Sequence, residues 1–287
     1  MFTPFNSTHR CLIATLLTLA FFLSGGRPLS AQEEGESLVT SIKWELGPGT
    51  GIMDKKIAEI DIPEGYMFAR GKDTQRLMEA MGNIASGQEV GFLTPTNLSW
   101  FVVFEFSDVG YIKDDEKDTL DPDAMLESIR EGNKQSNEYR AERGIGKLKI
   151  LGWETEPRYN PDTQNLEWAI RAQDEDEGIP IINHNTRVLG RRGVMKATLV
   201  VDADALLSTL PTFRQRMASF EFGKDEKYSE FRKGDKIAKY GLSALVVGGA
   251  AAVAVKSGLL RHIWKLLVVG GAAIGAFFKK LFGRKEK

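Results

Sequence analysis

The chain has 287 residues, 42% hydrophobic and 27% charged. That composition excludes a disordered polar polymer and leaves enough length for a core of its own. Lys and Arg (38) almost balance Asp and Glu (39), for a net charge of −1, so no overall basic excess points to nucleic acid. Cys11 is the single cysteine, which excludes an intramolecular disulfide framework and a cysteine-based zinc site.

The first 31 residues predict an export signal. Arg10 supplies a positive start, and Cys11–Leu23 is an apolar run of 13 residues broken only by Thr15 and Thr18. Pro28-Leu29-Ser30-Ala31 places small residues where a peptidase would cut, after Ala31. An uncleaved anchor is the alternative, but the run is short for a bilayer. Cys11 lies at the start of that run, unlike a lipoprotein cysteine, and cleavage leaves a mature chain without cysteine.

Residues 32–235 are expected to form one exported α+β domain, since no Pro/Gly/Ser linker or internal repeat divides them. Ala58–Ile62 and Tyr66–Ala69 look like short strands around the turn Pro63-Glu64-Gly65. Asp73 is placed to cap a helix over Thr74–Met81. Leu98–Tyr111 is the clearest strand, apolar on both faces and therefore central in a sheet. Asp121-Pro122-Asp123 opens a long helix to about Arg143. Its first half turns Met125, Leu126 and Ile129 inward, and its second half (Asn133, Lys134, Gln135, Asn137, Arg140) is expected in water.

Lys147–Glu154 and Leu166–Ala172 suit a hairpin around Tyr159-Asn160-Pro161-Asp162, with Trp153 and Trp168 as core anchors. Gly193–Val201 is a further strand. A helix follows from Asp202, broken or restarted at Pro211, ending near Gly223. The fold class expected is α+β, an antiparallel sheet with helices on one face.

Residues 236–278 predict a membrane anchor, with a basic tail over 279–287. Residues 240–255 are 16 without a charge and 266–278 are 13. As helices they reach roughly 24 and 20 Å against a bilayer core of about 30 Å. One crossing with an interfacial helix, a tight hairpin, and one long kinked helix all remain open. Leu245-Val246-Val247-Gly248-Gly249-Ala250-Ala251 recurs as Leu267-Val268-Val269-Gly270-Gly271-Ala272-Ala273. Gly248, Gly249, Gly271 and Gly275 give smooth faces for close packing or self-association in lipid. The tail from Lys256 has eight Lys/Arg and one Glu, a net of +7, while residues 1–31 carry +2, so residues 32–255 carry −10. An acidic exported domain and a basic tail suit a cytoplasmic C-terminus at the inner membrane. They also count against nucleic acid as a partner; the expected partners are the lipid bilayer and a second copy or another envelope protein.

Candidate chemistry is sparse. Asn183-His184-Asn185-Thr186-Arg187, with Arg191-Arg192, is the densest polar cluster. His184 is the one histidine of the exported domain and a candidate general base, but nothing in the sequence links a nucleophile to it. Asn183, Asn185, Arg187 and Arg191 are candidates for holding an anionic ligand; a bridge to the acidic loop Asp174–Glu177 is the plainer reading. Asp114 and Asp118 lie in an acidic run that lacks calcium-hand spacing. Asp114 and Asp115, adjacent on a strand, would point apart, unlike a glycosidase pair. Gly47-Pro48-Gly49-Thr50-Gly51 has no lysine for a phosphate loop. No cofactor is expected.

Leu46-Gly47-Pro48-Gly49, Pro63-Glu64-Gly65-Tyr66-Met67-Phe68 and Gly82-Asn83 resemble the opening of the domain-of-unknown-function 2167 family of bacterial membrane-anchored proteins. Trp100-Phe101-Val102-Val103-Phe104-Glu105-Phe106 and Gly110-Tyr111-Ile112-Lys113-Asp114-Asp115 continue the resemblance. So do Gly152-Trp153, Pro157-Arg158-Tyr159, Leu166-Glu167-Trp168-Ala169, Asn185–Arg191 and Gly234–Gly241. The resemblance runs from about residue 46 to the end of the chain and implies an envelope location and this topology, with no activity attached. It also implies an aromatic at position 184, where this chain has His184. The function expected is a membrane-anchored binding or scaffold module of the envelope. The alternative is an envelope hydrolase or transferase acting on an anionic substrate through His184, Arg187 and Arg191.

Overall fold

The computed structural model describes residues 41–80, 85–142, 147–175, 178 and 180–247. The export signal, Gly248, Gly249, Gly271, Gly275 and the basic tail lie outside them. The strands are β1 (Glu45–Leu46), β2 (Gly49–Ile52), β3 (Ala58–Ile62), β4 (Tyr66–Arg70), β5 (Glu89–Pro95), β6 (Phe101–Ser107), β7 (Leu148–Asn160), β8 (Asn165–Asp174), β9 (Pro180–Leu189), β10 (Val194–Asp202) and β11 (Glu221–Phe222). The helices are α1 (Gly71–Ala80), α2 (Pro122–Ala141), α3 (Leu206–Met217) and α4 (Leu242–Val247).

Eight strands form one antiparallel sheet in the order β1-β4-β5-β6-β10-β9-β8-β7, and β11-β3-β2 form a smaller one. The α+β class and the central place of β6 agree with the sequence pattern. β3 and β4, adjacent around Pro63-Glu64-Gly65, do not pair with each other: one joins each sheet. Gly47 sits at this junction, where a Cβ would overlap the Pro63 carbonyl, so only glycine fits there.

Helices cover both faces of the large sheet, not one. On the first face, Phe68, Leu93, Val102, Phe104, Met195, Ala197 and Leu199 pack against Ile60 and Ile62 of the small sheet and Leu206 and Phe213 of α3. Pro211 lies inside α3 and does not end it. The second face holds two separate apolar clusters. One gathers Met67, Phe92, Phe101 and Val103 under Leu77 and Met78 of α1, beside Trp44. The other gathers Leu166, Trp168, Ile170 and Leu189 with Met125 of α2 and Leu242, Leu245 and Val246 of α4. Burial on both faces explains why β6 is apolar along both sides.

Asp121 caps α2, its carboxylate accepting from Ala124 N at 3.0 Å. The polar second half of α2 is not in water. Asn133 and Arg140 are buried. Asn133 and Asn137 donate to the Leu148 carbonyl at 2.6 and 2.7 Å, and Leu148 N donates back to Asn137 Oδ1 at 2.9 Å. β7 is an edge strand, and these amides occupy backbone groups the ladder leaves open. α1 begins at Gly71, so Asp73 is in its first turn rather than its cap.

The packed domain runs past residue 235. Tyr111 N donates to the Lys236 carbonyl at 2.7 Å, and Ala238 N to the Tyr111 carbonyl at 2.8 Å. Ser243 N, opening α4, donates to the Glu116 carboxylate at 2.8 Å. No helix among the described residues is long and apolar enough to cross a membrane.

Phe104 is fully buried in the layer between the large sheet and the small sheet with α3. Phe104→Ala is expected to lower the unfolding free energy by about 3–5 kcal/mol. Urea denaturation of the detergent-solubilised chain, followed by circular dichroism, measures it; a loss below about 1 kcal/mol would mean the site collapses without a cavity.

Candidate functional site

β9 pairs with β8 on one side and β10 on the other, so its side chains alternate between the sheet's faces. The polar run at 183–187 is therefore a strand, and its residues divide. His184 and Thr186 point toward the α3 face; Asn183, Asn185 and Arg187 point the other way. His184 and Arg187 do not share a pocket.

His184 is 2% exposed and packs edge-on against Phe213, ring centroids 5.4 Å apart. Neither ring nitrogen has a partner among the described residues. Burial, helped by the charge of Arg214, lowers its pKa to about 4. A neutral imidazole without hydrogen bonds, touching a phenyl ring, occupies the place of a core aromatic. It has neither the solvent access nor the partner that general-base work requires.

On the second face, the gap between the α1 cluster and the α2–α4 cluster is floored by polar side chains. Lys196 on β10 stands opposite Glu105 on β6 and Arg187 on β9. Thr198 stands opposite Asn185, and Asn185 opposite Trp168 on β8. Arg187, Asn185, Asn183, Thr198, Lys196 and Glu105 are all half-buried, which makes the gap a polar seam in an otherwise apolar face.

Most of the seam is cross-linked. Lys196 Nζ lies 3.1 Å from Gln88 Oε1 and 3.7 Å from Glu105 Oε1. Ser107 Oγ donates to Gln88 Oε1 at 2.6 Å, and Ser86 Oγ to Glu105 at 3.2 Å. Glu89 accepts from the Ser86 and Gly87 backbone at 2.6 and 2.9 Å.

Arg187 is the exception. Its guanidinium lies over the Trp168 ring, 4.7 Å from the centroid. One arm donates to Asn185 Oδ1 at 3.2 Å and the other reaches the adjacent Thr186 carbonyl at 3.3 Å. No carboxylate among the described residues lies within ion-pair distance of it. Desolvation lowers its pKa to about 10, against the opposing pull of Glu105, so it stays cationic at neutral pH. Asn183 Oδ1, on the same strand face, is buried without a partner among the described residues.

The other candidates are elsewhere. Arg191 makes a two-armed pair with Asp235 (Nε–Oδ2 2.7 Å, Nη2–Oδ1 2.8 Å), and that contact holds the Asp235 carboxyl down at about 2. It serves the C-terminal segment and not the seam. Arg192 pairs with Glu226. Asp114 and Asp118 lie between β6 and α2, and no group of three His, Cys, Asp or Glu side chains suited to a metal ion occurs among the described residues. A cleft of about 510 Å³ lies between the start of α2 and the C-terminal segment, lined by Glu116, Asp121, Met125, Lys239 and Tyr240.

The model of the Protein of unknown function (DUF2167) family matches residues 45–278. The chain belongs to the DUF2167 family. No curated protein matches it. Among solved structures it is similar to cyanobacterial PsbP (CyanoP) from Synechocystis sp. PCC 6803, at 12% identity and TM-score 0.39, covering 64% of this chain and 93% of that one. It is also similar to a protein of unknown function from Pseudomonas aeruginosa described as PA94, putative regulator, at 15% identity and TM-score 0.24, covering 58% and 94%. At these scores neither likeness bears on function.

His184 gives the DUF2167 chain an acid-side liability. Between pH 6.5, the ordinary histidine value, and about 4, the unfolded chain takes up a proton at His184 that the folded chain refuses. Stability is unaffected above that window and falls through it as pH drops, by roughly 3 kcal/mol in all. His184→Phe is expected to melt higher and lose this component of the acid-side decline. Melting curves from pH 7 to pH 4 compare the two; parallel curves would place His184 in water.

Proposed function

We propose that this DUF2167 protein is an envelope binding or scaffold module, exported by its N-terminal signal and held at the cytoplasmic membrane by its C-terminal apolar runs. The seam on the second sheet face is its recognition surface. One observation carries this reading: Arg187 is desolvated and stacked on Trp168 with no carboxylate in ion-pair distance among the described residues, while its neighbour Lys196 has Glu105. Folding gains little from such a cation, since a buried charge is stabilised only when it is paired. A surface that completes the pairing from outside gives it a use.

The anchor adds to this. The acidic domain and the +7 tail place the C-terminus on the cytoplasmic side in this reading, and the glycine faces at Gly248-Gly249 and Gly271/Gly275 bring copies together. A hydrolase or transferase built on His184 beside Arg187 and Arg191 has less support, because the three side chains serve three different places in the fold.

A photo-cross-linking residue at Asn185 of the full-length protein in cells is expected to trap one dominant envelope component. The same residue at Leu207, 80% exposed on α3 across the sheet, is expected to trap none of it. Equal adducts from both positions, or none from Asn185, would sink the reading. Gly271→Leu is expected to weaken any self-complex seen in detergent by cross-linking; an unchanged complex would remove the glycine faces from the account.

A further inference from the structure

The seam's charges narrow what it can take, given the reading of it as a recognition surface. Lys196 is committed to Gln88 and Glu105, and Glu89 is satisfied by Ser86 and Gly87. Among the described residues Arg187 is the seam cation with no carboxylate in ion-pair distance, while Lys196 has Glu105 and Glu89 is held by uncharged donors. A dianion would bring a second negative charge into a desolvated space beside Glu105 and Glu89, where repulsion is weakly screened. A single carboxylate balances Arg187.

Geometry agrees. The Arg187 plane is fixed from below by Trp168 and on one side by Asn185 Oδ1. Nη1 and Nη2 each spend one N–H, on the Thr186 carbonyl and Asn185 Oδ1, which leaves Nε–H and one N–H on each Nη for the oxygens of a carboxylate. Four residues along the same strand, about 13 Å of backbone at the rise of a strand, Asn183 Oδ1 lacks a donor among the described residues. We propose that the seam binds an elongated polar ligand whose carboxylate is held by Arg187 over Trp168 and which donates an N–H or O–H to Asn183.

The carboxylate can come from the end of a peptide or from a sugar acid, and the probes separate these sources. Full-length protein in detergent is titrated with N-acetyl-trialanine, its C-terminal amide, cellobiouronate and inorganic phosphate, read by calorimetry and by tryptophan fluorescence. One of the two acids is expected to bind at least tenfold more tightly than the amide and phosphate. Arg187→Gln is expected to cost that acid at least tenfold and to leave the amide unchanged, with Arg187→Lys recovering only part because an ammonium cannot form the two-armed pair. Melting temperatures of the unliganded variants, held near the parent's, certify the fold; if Arg187→Gln does not fold, Arg187→Lys with Asn183→Asp carries the test, since a carboxylate there repels the acid ligand. The proposal is overturned if the amide or phosphate binds as well as both acids, if the folded variants bind the acid unchanged, or if neither acid binds at millimolar concentration. A discrete adduct from Asn185 together with failure of both acids would overturn the ligand class alone and leave the seam as a recognition surface.

Discussion

Burial of the eight-stranded sheet on both faces is the constraint from which the rest follows. A sheet with one wet face can put polar residues on alternate positions at no cost. Here the small sheet and α3 cover one side, and α1, α2 and α4 cover most of the other. Most positions on the central strands are then inward-facing, and each polar side chain there must find a partner or remain at a cost. On the α3 side His184 and Thr186 are among the buried polar side chains without a partner among the described residues. On the other side polar side chains collect in the seam between two apolar clusters, where Glu105, Lys196, Gln88, Ser86 and Ser107 satisfy one another. Arg187 and Asn183 stand out because the network around them is otherwise closed.

The strands that carry apolar residues on both sides were legible in the sequence. Leu98–Tyr111 reads as a central strand, and its middle, Phe101–Ser107, is one, while the Asp121-Pro122 start of α2 is a local signal that no later packing overrides. β9 was not legible. Asn183-His184-Asn185-Thr186-Arg187 has the composition of a loop, and only pairing with β8 and β10 makes it a strand. Its alternation, once known, decides the chemistry by sending His184 and Arg187 to opposite faces. β5 was also missed: Gly91 weakens its pattern, yet glycine is needed there because the Phe68 ring fills the space of a Cβ. The second half of α2 misled for a related reason. Asn133 and Asn137 are polar because they finish an edge strand, a partner that no spacing within the helix reveals.

The C-terminal segment is bound into the domain at several points. Arg191 grips Asp235, Tyr111 stacks on Tyr228 and Phe231 with centroids 4.4 and 4.3 Å apart, and Tyr228 donates to the Ile112 carbonyl at 3.0 Å. Backbone bonds from Tyr111 then hold residues 236 and 238, and Glu116 holds the start of α4. These contacts make the segment that ends at α4 a packed strap against the large sheet and α2.

The strap also changes the arithmetic of the proposed anchor. The first apolar run begins at Tyr240, but Leu242, Leu245 and Val246 are spent on α2 and its neighbours. Those side chains belong to the domain's core, where their apolar surface is already out of water, so the start of the run through Val246 is explained by packing against α2 and needs no lipid to account for it.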